Sequence, residues 1–415
     1  MKLDIHRILK SKFMGFSALT ILASVLNFAF LPLIANALSV EDFGLYILIY
    51  TAVQVGAQVF LFGMTTLLSK EISGSKSELS VPVLDFFNNF SKITLLILIL
   101  FAISFSFIIG GSALLVLMVV LIIFVRSWYR LIVTYFRMKE ELLNFALFQL
   151  VFTSCFFGFP IAYSSVSGSI DITEFFAFML LGYLVCLIFL RRLLIKRREL
   201  TDQPISLSFF SNNKSILVFG AGAALHSASG ALLTVADRFI SAFYMSANEF
   251  GVYALASQLA AVLSLTFTAI VQSMVPDFYR KLNQGYHGAI FVDYMKNLLI
   301  MVVIIVCLYQ IFLAAFVELF FSDSYMNATY LARLLSIGIV FQGLYSLSSA
   351  YLFYKKKSIL MSKLSFSIGG FGVLLGFLLG NFYGIFGIIV AFIITWFFMF
   401  VVTTFYCKRV FNEFC

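Results

Sequence analysis

Apolar runs of mostly 18 to 26 residues recur along the whole chain, each closed by a short polar connection. A helix needs about 20 apolar residues to cross the hydrocarbon core of a bilayer. The runs are continuous rather than alternating in polarity, which excludes the strands of a membrane β-barrel. The pattern predicts an all-α integral membrane protein of about 12 transmembrane helices. Their spans lie near 13–38, 44–69, 93–110, 112–136, 143–163, 172–190, 215–244, 251–275, 297–320, 329–354, 358–380 and 383–407.

The polar positions give the sidedness. Of 28 Lys and Arg residues, 24 fall in the segments 1–12, 70–92, 137–142, 191–214, 280–296, 355–363 and 408–415. The six connections between these hold none and carry Glu41, Asp42, Asp171, Glu249 and Asp323 instead. Basic loops stay on the cytoplasmic side, so the alternation predicts both termini inside. Composition agrees: 62% of the 415 residues are hydrophobic and 11% charged, against roughly a quarter charged in soluble domains. The net charge of +9 sits in these loops, which argues against a nucleic-acid partner and for an anionic inner leaflet. Ala35-Asn36-Ala37 resembles a signal-cleavage site, but the run before it is longer than a signal core, which predicts a retained first helix.

The chain also repeats itself. Ser39-Val-Glu-Asp-Phe-Gly-Leu-Tyr46 returns as Ser246-Ala-Asn-Glu-Phe-Gly-Val-Tyr253, half the chain later. Each copy joins the first two spans of a six-helix half. Six is even, so both halves enter from the same side and form a parallel repeat. The predicted domains are an N-terminal six-helix lobe, 1–206, and a C-terminal six-helix lobe, 207–415, with a substrate path between them.

Leu38–Tyr46 with its second copy, Asp237-Arg238 late in span seven and Gly384–Ala391 at the start of the last span carry a resemblance. The chain resembles the Wzx-type flippases, in the polysaccharide-transporter branch of the multidrug/oligosaccharidyl-lipid/polysaccharide exporter superfamily. The resemblance implies two pseudo-symmetric MATE-like lobes in the bacterial inner membrane. It implies flipping of undecaprenyl-pyrophosphate-linked oligosaccharide, usually an O-antigen repeat unit, by alternating access. The implied partners are the lipid-linked oligosaccharide, membrane lipids and polysaccharide-assembly proteins, with no cofactor. Two departures stand out. The chain has twelve spans where lipid II flippases have fourteen, and it has few intramembrane acids, unlike cation-coupled drug exporters.

Ionisable residues inside spans cost about 2.5–3.5 kcal/mol on insertion scales and are functional candidates for that reason. Arg126 and Arg130 are i and i+4 on span four, and Arg137 continues the stripe at i+11. Facing a wet cavity they form a ladder of guanidinium forks suited to a pyrophosphate. The alternative is snorkelling of Arg130 and pairing of Arg126 with a helix neighbour. Asp237 adjoins Arg238, and His226 lies at i−11 on the same face of a continuous helix, a candidate proton relay. The alternative is an Asp–Arg pair that locks the helix to its lobe. Tyr50, Gln54 and Gln58 recur every four residues on span two, as sugar contacts or, for Tyr50, as an interfacial anchor. Gly220-Ala221-Gly222 and the glycines from Gly372 to Gly384 read as helix packing. Five cysteines without paired spacing imply neither a disulfide framework nor a metal site. No nucleotide or metalloenzyme motif occurs, so a transporter is expected rather than an enzyme. Other readings are an ion-coupled drug or metabolite antiporter and an O-antigen-type polymerase.

Overall fold

The computed structural model describes residues 12–72, 83–109, 112–168, 170–196, 213–285, 287–355 and 357–412. The basic residues Lys2, Arg7, Lys10, Lys76, Arg197, Arg198 and Lys356, and Cys415, lie outside the described residues. Those described form helices, and no strand occurs among them. In order these are α1 (Lys12–Ala37), α2 (Val40–Phe60), α3 (Met64–Ile72), α4 (Val83–Ile109), α5 (Ala113–Met138), α6 (Leu142–Ser167) and α7 (Ile172–Lys196). There follow α8 (Lys214–Thr234), α9 (Ala236–Tyr244), α10 (Ala247–Leu282), α11 (His287–Phe320), α12 (Met326–Tyr354) and α13 (Ser358–Asn412).

Nine of the described helices are long and apolar enough to cross a membrane. The bent pair α8 and α9 makes a tenth span. The 55 residues of α13 would run for about 80 Å at 1.5 Å per residue, more than twice the thickness of the hydrocarbon core. They fold back at Gly384, whose φ of 57° and ψ of −136° suit a residue without Cβ. The two arms close against each other. A side chain at Gly387 would strike the Leu379 carbonyl, and a Cβ on Gly372 would lie 2.5 Å from Thr395 Oγ1. Counting both arms, and α1 with its apolar stretch Leu22–Ala37, gives about twelve spans.

Two predicted spans are interrupted. Span two breaks into α2 and α3 at Phe62 and Gly63, with φ of 51° and 71°. Phe62 stacks on Phe90 at 4.9 Å and fits against Gly220, where a Cβ would collide with its ring. Gly220 is therefore a packing residue, as its apolar context suggests. Span seven breaks at Val235, with φ of −140° and ψ of 1°, and the helices on either side are bent by 55°.

The chain falls into two compact units. One comprises Met1–Leu38 and Ile49–Ser227, the other Ser39–Leu48 and Ala228–Cys415. The core of the first gathers Phe60, Phe86, Phe87, Trp128, Phe136 and Phe145, all nearly inaccessible. The α1 helix belongs to this unit, with Phe16 edge-on to Phe145 at 5.0 Å and Phe30 stacked on Phe157 at 5.3 Å.

In the second unit the two copies of the repeated octamer meet. A Cβ on Gly44 would lie 2.9 Å from the Gly251 Cα, and one on Gly251 would run into the Val40 carbonyl. Asn248 Nδ2 donates to Glu41 Oε1 at 3.0 Å, across 207 positions. The caps match as well. Ser39 Oγ accepts from the Asp42 N–H at 3.1 Å, and Ser246 Oγ accepts from the Glu249 N–H at 3.3 Å. Each serine satisfies an N-terminal N–H that the helix itself leaves unpaired. Equivalent positions therefore touch equivalent positions, as at a two-fold contact.

Candidate functional site

The α5 helix carries the two intramembrane arginines of the first unit. Its N-cap is Ser112, whose side chain accepts from the Leu115 N–H, and its apolar face packs Ile122, Val125, Trp128 and Ile132. The contact with α2 is close. Ser127 Oγ donates to the Ala57 carbonyl at 3.1 Å, and a Cβ on Gly56 would lie 2.8 Å from Ile123 Cδ1. This leaves Arg126 thirteen residues from the start of a 26-residue helix, at its middle, with Arg130 one turn further on.

Three other helices of the first unit converge on Arg126. Nη1 donates to the Tyr183 hydroxyl on α7 at 2.8 Å, and Nη2 donates to the Tyr50 hydroxyl on α2 at 3.2 Å. The guanidinium carbon lies 4.9 Å from the Tyr50 ring centre and 5.9 Å from that of Phe156 on α6, within cation–π range. Nε is buried with no acceptor among the described residues. Around this cation Tyr183 packs on Phe156 at 4.3 Å and Phe152 at 4.4 Å. Tyr129 stacks on Phe152 at 3.8 Å. The close passage of α6 and α7 that brings Tyr183 here is set by Gly182, where a Cβ would lie 2.5 Å from the Cys155 carbonyl.

Neither arginine has a carboxylate partner among the described residues. Arg126 hydrogen-bonds only to phenols among the described residues, and there the half-buried Arg130 has no side-chain hydrogen-bond partner. Neighbours at i and i+4 sit roughly 6 Å apart. The two guanidiniums are like charges one helical turn apart and repel each other. Arg137 is exposed in the last turn of α5, on the same stripe.

Gln54 is half-buried and Gln58 exposed on α2. They continue the stripe of Tyr50, and their amides have no partner among the described residues. Tyr253, by contrast, is fully buried and donates to Asp237 Oδ2 at 2.6 Å. Its repeat equivalent, Tyr46, is buried as well. Asp237 and Arg238 stand in the first turn of α9 in the second unit. The His226 side chain lies outside the described residues. Its backbone belongs to α8, and the break at Val235 removes the continuous helix on which the i−11 register with Asp237 was based. The residues missed from sequence are Tyr183, Tyr129, Phe152 and Phe156. Of these only Tyr129 carried a signal, lying between the two arginines.

An apolar groove of about 530 Å³ runs along another side of α6, lined by Cys155, Gly158, Phe159, Ala162 and Phe178. It offers no charged group.

Residues 10–281 match the family of polysaccharide biosynthesis proteins. The chain belongs to that family. No curated protein matches the sequence. Among solved structures it is similar to an inward-facing multidrug resistance MATE family transporter of the MOP superfamily. The TM-score there is 0.72 at 13% identity, over 94% of each chain. It is also similar to the lipid II flippase MurJ in an inward closed conformation, with a TM-score of 0.72 at 16% identity, over 95% of this chain and 87% of that one. A third likeness is to a MOP superfamily transporter from Pyrococcus furiosus, with a TM-score of 0.64 at 14% identity, over 97% and 94%. At these identities the likeness establishes the fold. This member of the polysaccharide biosynthesis family is thus a multi-pass membrane protein with a fold like that of the MATE and MurJ structures.

Proposed function

We propose that the protein is a flippase that carries an undecaprenyl-pyrophosphate-linked oligosaccharide, of the O-antigen repeat type, across the bacterial inner membrane. The observation that supports this reading best is a pair of guanidiniums one turn apart within a span, Arg126 and Arg130, with no carboxylate partner among the described residues. A pyrophosphate brings the missing negative charge, and guanidinium forks bind its oxygens in pairs. Arg137 extends the cationic stripe toward the cytoplasmic end of α5, where the substrate is loaded. Gln54, Gln58 and the rim of Tyr50 supply amides and an aromatic face for the first sugars. Arg238 is a further anion contact in the second lobe, and Asp237 with His226 supplies ion coupling.

In this proposal the six-helix lobes 1–206 and 207–415 alternate access with both termini cytoplasmic. The lipid tail stays in the bilayer while the headgroup crosses, and assembly proteins take up the product. Complementation tests the reading in a strain whose surface polysaccharide depends on this protein. Arg126→Ala should reach the membrane at normal levels yet abolish surface polysaccharide, with the lipid-linked unit accumulating on the inner leaflet. Wild-type export from that variant would remove the cationic-stripe mechanism while leaving the fold intact.

A further inference from the structure

Tyr183 is 1% exposed, and its hydroxyl accepts from Arg126 Nη1 at 2.8 Å. A phenol that accepts from a guanidinium turns its own proton away from that cation. Among the described residues no acceptor receives this proton. The groups packed on the ring are Phe152 and Phe156, which offer no oxygen. Buried hydroxyl donors are rarely left unmatched in folded proteins, and one polarised by an adjacent cation is a strong donor. Arg126 Nε, on the Nη2 side of the same guanidinium, is a second buried donor without an acceptor among the described residues.

We infer that the Tyr183 hydroxyl is a direct ligand of the substrate's phosphate oxygens, a third donor beside Arg126 and Arg130. This rests on reading the arginine pair as an anion site. A phosphate group suits the set because several terminal oxygens on one centre take bonds from two guanidiniums and a phenol together. The phenol also holds Arg126 from the other side, so one hydroxyl accepts from the protein and donates to the cargo.

The test uses the full-length protein in lipid nanodiscs, titrated calorimetrically with inorganic pyrophosphate. Tyr183→Phe keeps the ring contacts and removes the hydroxyl. Its affinity should fall roughly ten- to a hundredfold, the range for losing one hydrogen bond to a charged group. Difluorotyrosine at position 183 keeps the hydroxyl and makes it a stronger donor. At a pH where that phenol stays protonated, pyrophosphate should bind more tightly than to wild type. A merely structural tyrosine would not produce this gain. Unchanged affinity in Tyr183→Phe, or a fluorinated variant no tighter than wild type, overturns the inference. If Tyr183→Phe does not fold, the fluorinated variant decides alone. Arg126→Ala and Arg130→Ala separate the two claims. If both bind pyrophosphate as wild type does, the anion site itself is wrong. If both lose it while the Tyr183 results fail, only the role of Tyr183 falls.

Discussion

Arg126 keeps a charge at the middle of a membrane helix because tyrosine hydroxyls and aromatic faces from α2, α6 and α7 surround it. Its importance is legible in the sequence through cost alone, since an arginine thirteen residues inside an apolar run must be solvated by something other than lipid. Tyr183 is not legible, because a tyrosine in an apolar span reads equally as an interfacial anchor. A relay between Asp237 and His226 on one face needs an unbroken helix, and the helix breaks at Val235. Leu-Leu-Thr-Val-Ala-Asp carries neither proline nor glycine to announce the break at Val235. Asp237 nevertheless matters locally, because Tyr253 donates to it at 2.6 Å and ties α9 to α10. Tyr253→Phe should destabilise the protein by about 1.5–3 kcal/mol, the range for a hydrogen bond to a charged group, read as a lower thermal midpoint in detergent. Asp237→Asn leaves an acceptor in place and removes only charge. If ion coupling runs through the carboxylate, this variant loses transport at normal membrane levels. Unchanged transport in the double variant Asp237→Asn, His226→Ala takes both residues out of coupling.

Among the helices, the octamer repeat shows how far a sequence pattern reaches. The offset of 207 reveals that the starts of α2 and α10 are equivalent. It does not reveal that they touch, because a repeat specifies likeness and not contact. The structure adds the reason for Gly44 and Gly251, which let two backbones pass within the space of one Cβ. It also explains why Ser39–Leu48 groups with the second unit while the rest of α2 groups with the first. Gly251→Val would drive a branched side chain into the Val40 carbonyl. The expected loss is about 3 kcal/mol, the upper end for overpacking, since backbone cannot move aside as a side chain can. A thermal midpoint unchanged within error would mean that the contact is not tight. Of the glycines from Gly372 to Gly384, the sequence reads all as packing; Gly372, Gly376 and Gly380 do pack closely, whereas Gly384 meets nothing within 4 Å and makes the turn through its positive φ. Neither Phe62 nor Val235 could be read as a break, since propensity does not mark a bulky residue for positive φ or a valine for an interruption.

For the whole molecule, the count of apolar runs and the likeness to the MATE and MurJ structures agree on an all-α multi-pass membrane protein. That much was legible because lipid allows so few architectures. Orientation is a separate prediction, resting on where the basic residues lie. Reporter fusions at Lys196 and Lys355 should read cytoplasmic, and fusions at Asp171 and Asp323 periplasmic; one reversal among the four removes the twelve-span topology. The identity of the cargo rests on charge and amides around one cation, and reconstitution tests it most directly. Purified protein is placed in liposomes with a fluorescent polyprenyl-pyrophosphate-linked oligosaccharide, and a membrane-impermeant quencher reports which leaflet holds the label. Wild-type protein should equilibrate the label between leaflets. Arg126→Lys should do so more slowly, since its charge survives without the bidentate fork, and Arg126→Ala should leave the label where it was loaded. Equal rates for wild type and Arg126→Ala would contradict the account.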